Sequence, residues 1–193
     1  MRFLTPSRAA IAACVLPFAA PAEPVTYQLD PDHTYPSFEA DHFAGASIWR
    51  GKFDKTSGTV VLDAKAGTGT VDVTIDLASV NTGNAALDNE LRGKKFFDVQ
   101  QFPTATYKGS KVHFKDGKPV EVDGTFTLHG VSHPLKLTLL SFKCYENPIV
   151  KKQVCGTEAT AAFDRDAYGV SFGKDYGFFM KTTLHIQAEG IRQ

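Results

Sequence analysis

The sequence predicts an all-β protein, a sandwich or closed barrel of about eight to ten antiparallel strands. Two observations carry that expectation. Apolar and polar residues alternate with a period of two through most of the chain, and Gly, Pro, Asn and Asp separate the alternating runs. The runs are also rich in Val, Ile, Thr and Phe, which suit a pleated surface buried on one face and wet on the other.

The elements follow in order. Val25–Leu29 opens the series, with further runs at 34–40, 48–53 and 59–63. Over 70–77 every odd position is apolar and every even one polar. One stretch breaks the period. Asn84 suits a helix cap, Leu87 and Leu91 stand four apart, and Gly93 suits a stop, so a short helix is expected over Ala85–Arg92. Strand runs resume at 104–114, then at 120–128, where the even positions are apolar except Gly124. Runs at 135–142, 158–163 and 184–189 complete the set. No internal repeat or flexible linker divides residues 23–193, which read as one domain.

Residues 1–22 read instead as a signal peptide. Arg2 and Arg8 form a positive start, an alanine-rich apolar stretch follows, and Ala20-Pro21-Ala22 supplies the small residues for cleavage after Ala22. Ile11-Ala12-Ala13-Cys14 looks like a lipoprotein cleavage box, but too few residues separate Arg8 from Cys14 for the usual apolar region. Export is therefore expected. It leaves Cys144 and Cys155 as an even pair with 10 residues between them, most simply a disulfide. A metal site is the competitor, without a CxxC or Cys/His cluster to support it.

Charge narrows the function classes. The full chain has 21 Lys+Arg against 21 Asp+Glu, which argues against nucleic acid as a partner. No apolar run reaches the roughly 20 residues of a membrane-spanning helix. Catalytic motifs are also missing: there is no GxSxG, HExxH or P-loop. Asp32-His33 suggests a dyad without an identifiable serine; His129 and His133 stand too far apart on a strand to share an ion, but Gly130-Val131-Ser132-His133-Pro134 reads as a turn that could bring them closer. His33 and His42, beside Asp30, Asp32 and Asp41, fit a polar site at a barrel mouth or plain turn caps. No catalytic residue and no metal is assigned. Aromatic supply is the feature left over: beyond residue 22 the chain holds 13 Phe, Trp49 and six Tyr. They fill an ordinary β core, or they line a barrel wide enough to hold an apolar ligand.

Seven motifs in order resemble a known family. They are Tyr27-Gln28-Leu29-Asp30-Pro31-Asp32-His33-Thr34; Arg50-Gly51-Lys52-Phe53 with Ser57-Gly58-Thr59; Val80-Asn81-Thr82-Gly83; Leu87-Asp88-Asn89-Glu90-Leu91-Arg92 with Phe96-Phe97-Asp98; Phe102-Pro103; Gly124 to Ser132; and Asp164-Arg165-Asp166-Ala167-Tyr168-Gly169. Together they are similar to the YceI-like, polyisoprenoid-binding periplasmic proteins, across essentially all of residues 23–193. The resemblance implies a lipocalin-like, antiparallel eight-stranded β-barrel with one or two short helices. Its implied function is a non-catalytic periplasmic carrier for a long-chain polyisoprenoid, an isoprenoid quinone or polyprenyl phosphate, in an apolar channel and with no other cofactor.

A polyprenyl chain carries no hydrogen-bonding groups, so its recognition rests on excluding its surface from water. The lining expected on these grounds is Phe38, Phe43, Trp49, Phe53, Phe97, Phe102, Phe126 and Leu128. His42 and Arg50 are the expected headgroup residues, Arg50 because a guanidinium suits phosphate. Two alternatives stand beside this reading. One is an interaction module whose barrel is filled by its own side chains and which works with a membrane cytochrome-b-type redox partner. The other is a small hydrolase using His33 with Asp32. A homodimer is a further partner expectation.

Overall fold

The computed structural model describes residues 23–193. The expected signal peptide, with Cys14, lies outside the described residues. Eleven strand segments run in sequence: β1 Val25–Leu29, β2 Tyr35–His42, β3 Ser47–Phe53, β4 Thr56–Asp63, β5 Thr68–Asp76, β6 Val80–Asn81, β7 Thr104–Lys115, β8 Lys118–Leu128, β9 Val131–Asn147, β10 Lys152–Asp164 and β11 Lys181–Arg192. Helix α1, Ala85–Arg92, lies between β6 and β7. All pairings are antiparallel. β1 and β2 lie end to end along β11, β4 and β3 pair with them, and β5 and β6 pair with those in turn. Each end-to-end pair is one stave broken once, so eleven segments make eight staves. β11 pairs back onto β1 and closes the ring. Closure settles the choice between sandwich and barrel: the ring β1-β4-β5-β7-β8-β9-β10-β11 has no open edge, and only the short β6, at the end of the branch through β2 and β3, keeps one side unpaired.

The three breaks sit side by side, and local chemistry makes each of them. At the first, Pro31 follows Asp30, whose carboxylate accepts from the Asp32 N–H while its carbonyl accepts from His33. At the third, the Asp76 carboxylate caps a single 3-10 turn, Leu77–Ser79, by accepting from Ala78. The second break, at Asp54 and Lys55, bonds to that turn: Asp54 N–H donates to the Ser79 carbonyl and Lys55 N–H to the Ser79 hydroxyl. Backbone groups that leave the ladder thus find partners in the neighbouring break.

One end of the barrel carries the β2–β3 turn, α1 with the segment to residue 103, the β8–β9 turn and the 165–180 loop. The opposite end has only short hairpin turns. Asp116-Gly117 at that end, and His129-Gly130 in the β8–β9 turn at the helical end, both take positive φ at two successive residues, the backbone that a tight hairpin needs. The helix forms where expected. Asn84 caps it by accepting from Ala86 and Leu87. Buried Asp88 accepts from the Thr82 N–H and hydroxyl, and Arg92 donates to the carbonyls of Ala78 and Val80. These bonds lock α1 across the end of the barrel, with Leu91 buried beneath it.

Bulges interrupt the parity that the sequence suggests. In β9 the register steps from Ser141 opposite Glu158 to Leu139 opposite Ala159, so Leu140 is the extra residue and lies 66% exposed. Another bulge turns Pro119 inward, with Val120 left out of register. The β9–β10 hairpin is also much longer than the runs at 135–142 and 158–163. It reaches Asn147 and Lys152, which places Cys144 directly opposite Cys155, and the two are disulfide-bonded. The metal competitor for these cysteines is thereby overturned. Replacing both cysteines with alanine is expected to lower stability by about 2–3 kcal/mol. A thermal melt would then show a drop of about 5–10 °C.

Candidate functional site

Inside the barrel runs a cavity of about 500 Å³. That volume lies within the roughly 300–1,000 Å³ typical of sites for small apolar ligands. Strand parity explains the wall. On β2 the even residues Pro36, Phe38, Ala40 and His42 line it, and on β3 the odd residues Phe53 and Trp49. Val71, Val73 and Ile75 come from β5, Leu135, Leu137 and Leu139 from β9, and Leu184, Ile186 and Ala188 from β11. The wall is nearly all hydrocarbon and aromatic ring. A space so lined stays dry and favours apolar occupants.

The two ends of the cavity differ. Away from the helix its lining holds no exposed residue: Val112, Pro119, Val122 and Cys155 are buried there, with Gly156 and Glu189 half-buried beside them. At the helical end the wall reaches solvent through Trp49, Phe172 and Glu90, with His42 and Phe178 half-buried. This end is the mouth. Around it stand further exposed apolar residues, Phe43, Ile48, Tyr176 and Phe179. Asp41 holds the rim together: its carboxylate accepts from the N–H groups of Ala44, Gly45 and Phe179, tying the β2–β3 turn to the 165–180 loop. Burial pushes that carboxyl up, but these amides outweigh it and hold it below the ordinary carboxylate range.

The residues singled out in the sequence divide into two groups. Phe38, Phe53 and Phe97 form a continuous aromatic run, with centroids 5.8 and 5.7 Å apart, and they line the cavity with Phe126 and Leu128. Trp49 and His42 line it at the mouth. The other three stand outside the wall. Arg50 is on the outer face of β3, one step out of parity with Trp49, and its Nε donates to Glu39 at 2.7 Å. Phe43 takes a left-handed backbone in the turn and packs on Phe178 at the rim, 54% exposed. Phe102 stacks on His129 at 4.3 Å beside the β8–β9 turn. The Asp32–His33 dyad does not form either. His33 Nδ1 pairs with Asp30 at 2.9 Å in an exposed position, and that hydrogen bond raises the imidazole above its ordinary value. Among the described residues no group of three or more His, Cys, Asp or Glu is placed to hold a metal ion.

Two further residues at the site were not expected. Glu90 lines the mouth from α1. Arg165 lines the cavity with its residue 8% exposed, donating to the carbonyls of Val170 at 2.7 Å and Phe172 at 2.8 Å. A signal for Arg165 was present. Thr157, Ala159 and Phe163 all face the cavity from β10, and the same alternation carried one step past the strand reaches Arg165.

The YceI-like domain model matches residues 27–190. The chain belongs to the YceI-like family. Among curated relatives, Protein YceI of Salmonella arizonae is 34% identical over 171 residues, covering 86% of this chain and 87% of the relative. A UPF0312 protein of Vibrio cholerae is 32% identical over 179 residues, covering 92% of each. Solved structures share the barrel of this YceI-like protein. Burkholderia cenocepacia BcnA superposes with a TM-score of 0.67 at 22% identity, covering 83% of this chain and 98% of its own. A polyisoprenoid binding domain from Saccharophagus degradans, implicated in plant cell wall breakdown, superposes with a TM-score of 0.60 at 18% identity, covering 86% and 98%. At such identities the likeness concerns the fold.

Proposed function

We propose that this YceI-like protein is a non-catalytic, periplasmic carrier of a long-chain polyisoprenoid lipid, an isoprenoid quinone or polyprenyl phosphate. One observation carries the reading: a barrel-length cavity walled almost wholly by hydrocarbon and aromatic rings, whose exposed lining residues, Trp49, Glu90 and Phe172, gather at the helical end. Phe38, Phe53, Phe97, Phe126 and Leu128 enclose the chain in this reading, and Trp49 and His42 sit where it enters. The energetics fit an isoprenoid. Each methylene moved from water into such a wall contributes about 0.8 kcal/mol, so a five-carbon unit gains on the order of 4 kcal/mol before ordering costs. A family relationship and a polyisoprenoid-binding neighbour of the same fold support the ligand class.

Native mass spectrometry of protein purified from the exported compartment tests this, followed by extraction and lipid identification. A stoichiometric isoprenoid is the expected result. Ligand-free protein that also fails to take up added polyprenyl lipid overturns the carrier reading. That outcome favours an interaction module working with a membrane redox partner, for which the exposed apolar residues Phe43, Ile48, Tyr176 and Phe179 at the rim are the supporting observation.

A further inference from the structure

We infer that Arg165 is an anion-recognising residue at the mouth of the cavity, selecting ligands that carry a phosphate on their apolar chain over uncharged ones of the same length. The inference rests on the carrier reading and deepens it.

A buried guanidinium has more donors to satisfy than any other side chain. It has five N–H donors in a planar fork and stays protonated under all ordinary conditions. Arg165 is buried beside an apolar cavity, yet it donates to two neutral carbonyls, those of Val170 and Phe172. No carboxylate among the described residues pairs with it. The two closest in electrostatic effect, Asp166 and Asp41, are already engaged: Asp166 with Lys174 at 2.7 Å, Asp41 with three backbone amides. Burial pushes the guanidinium below its ordinary value, with Asp166 and then Asp41 opposing. The positive charge therefore lies in a poorly solvated place without a matching anion, a condition that is unfavourable unless something supplies one.

A phosphate at the end of an apolar chain meets that need. Its oxygens accept from a guanidinium fork in a bidentate, charge-assisted pair, stronger than any bond to a neutral carbonyl. Position agrees with this. Arg165 lies two residues past Phe163, just beyond the end of β10, and comes just before Val170 and Phe172, which also line the cavity, Phe172 at the mouth. A chain threaded past Phe163 would end its head at this residue. Glu90, the carboxylate of α1 that also lines the mouth, is exposed, where solvent and salt screen its repulsion of an anion.

The test compares a polyprenyl monophosphate with the polyprenol of the same chain length, titrated into the full mature protein. Trp49, the only tryptophan, lines the mouth and serves as the fluorescence reporter. Wild type is expected to prefer the phosphate by at least about tenfold. In Arg165→Gln that preference disappears while polyprenol affinity holds, and Arg165→Lys keeps part of it. Arg50→Gln, on the outer face, leaves it unchanged. Equal affinity of wild type for the two lipids overturns the inference while leaving the carrier reading intact, and it does so even if Arg165→Gln fails to fold. Equal weakening of both lipids by Arg165→Gln also overturns it, since that marks a loop clamp and not a headgroup contact. If neither lipid binds wild type, the carrier reading falls with it.

Discussion

Ala159→Phe is expected to reduce isoprenoid binding by about 50-fold and leave the barrel folded. Ala159 is 5% exposed, faces the cavity from β10, and stands level with Leu139 on one side and Ile186 on the other, both of them in the wall. A phenyl ring there projects into the empty space of the barrel and meets apolar side chains only. The fold gains buried hydrocarbon, so the usual overpacking penalty is relieved by the cavity itself. The ligand loses that space. Displacing about three methylenes from the wall costs about 2.4 kcal/mol, which converts to about 50-fold in affinity. Titration with a polyprenyl lipid, beside a thermal melt, reads both quantities. A folded variant that binds as wild type does would show that the chain lies elsewhere.

The largest loss of stability is expected at a position that carries no side chain. Gly124 sits on the inward face of β8, and a Cβ built there lies 2.5 Å from both Cζ and the hydroxyl of Tyr107, and 2.7 Å from the Lys108 carbonyl. The ring cannot withdraw without loss, because its buried hydroxyl lies 3.0 Å from the carbonyls of both Val122 and Leu135. Burial also raises the phenol well above its ordinary value, so it remains a hydrogen-bond donor at any working pH. Gly124→Ala combines overpacking with a broken buried hydrogen bond, each about 1–3 kcal/mol, for a total of about 4 kcal/mol. Chemical denaturation should show a much lower midpoint with an unchanged slope. Gly156→Ala is the control. Its Cβ meets the Glu189 Cγ at 3.3 Å, a contact that a flexible side chain relieves, and the expected change is under about 1 kcal/mol.

These two glycines show where reading the sequence succeeds and where it stops. Gly124 interrupts the apolar positions of 120–128, and the alternation alone marks it as an inward position. Nothing in the chain order shows that Tyr107 fills the space it leaves, because that contact joins two strands. The same limit explains the site residues. Parity puts Phe38, Phe53, Phe126 and Leu128 on one face of their strands, and closure of the barrel makes that face the interior. Parity also separates Arg50 from Trp49, but only the pairing of β3 with β2 shows that Trp49 faces the cavity and Arg50 faces Glu39. Phe102 and Phe43 lie in turns, where a period of two no longer predicts direction.

Chain-local physics was enough for ten of the eleven strand segments, all but the two-residue β6, for the capped helix over Ala85–Arg92 and for the all-β class, since each depends on residues within a few positions of one another. The pairing of Cys144 with Cys155 was legible from composition, because they are the only two cysteines beyond residue 22. Tertiary structure alone decided that eleven segments close into eight staves, and that bulges send Leu140 outward and Pro119 inward. It also decided that Arg165 lines the cavity while Arg50 faces outward to Glu39. Those outcomes depend on which strand lies beside which, and on the register between them, and neither is written in any one segment of the chain.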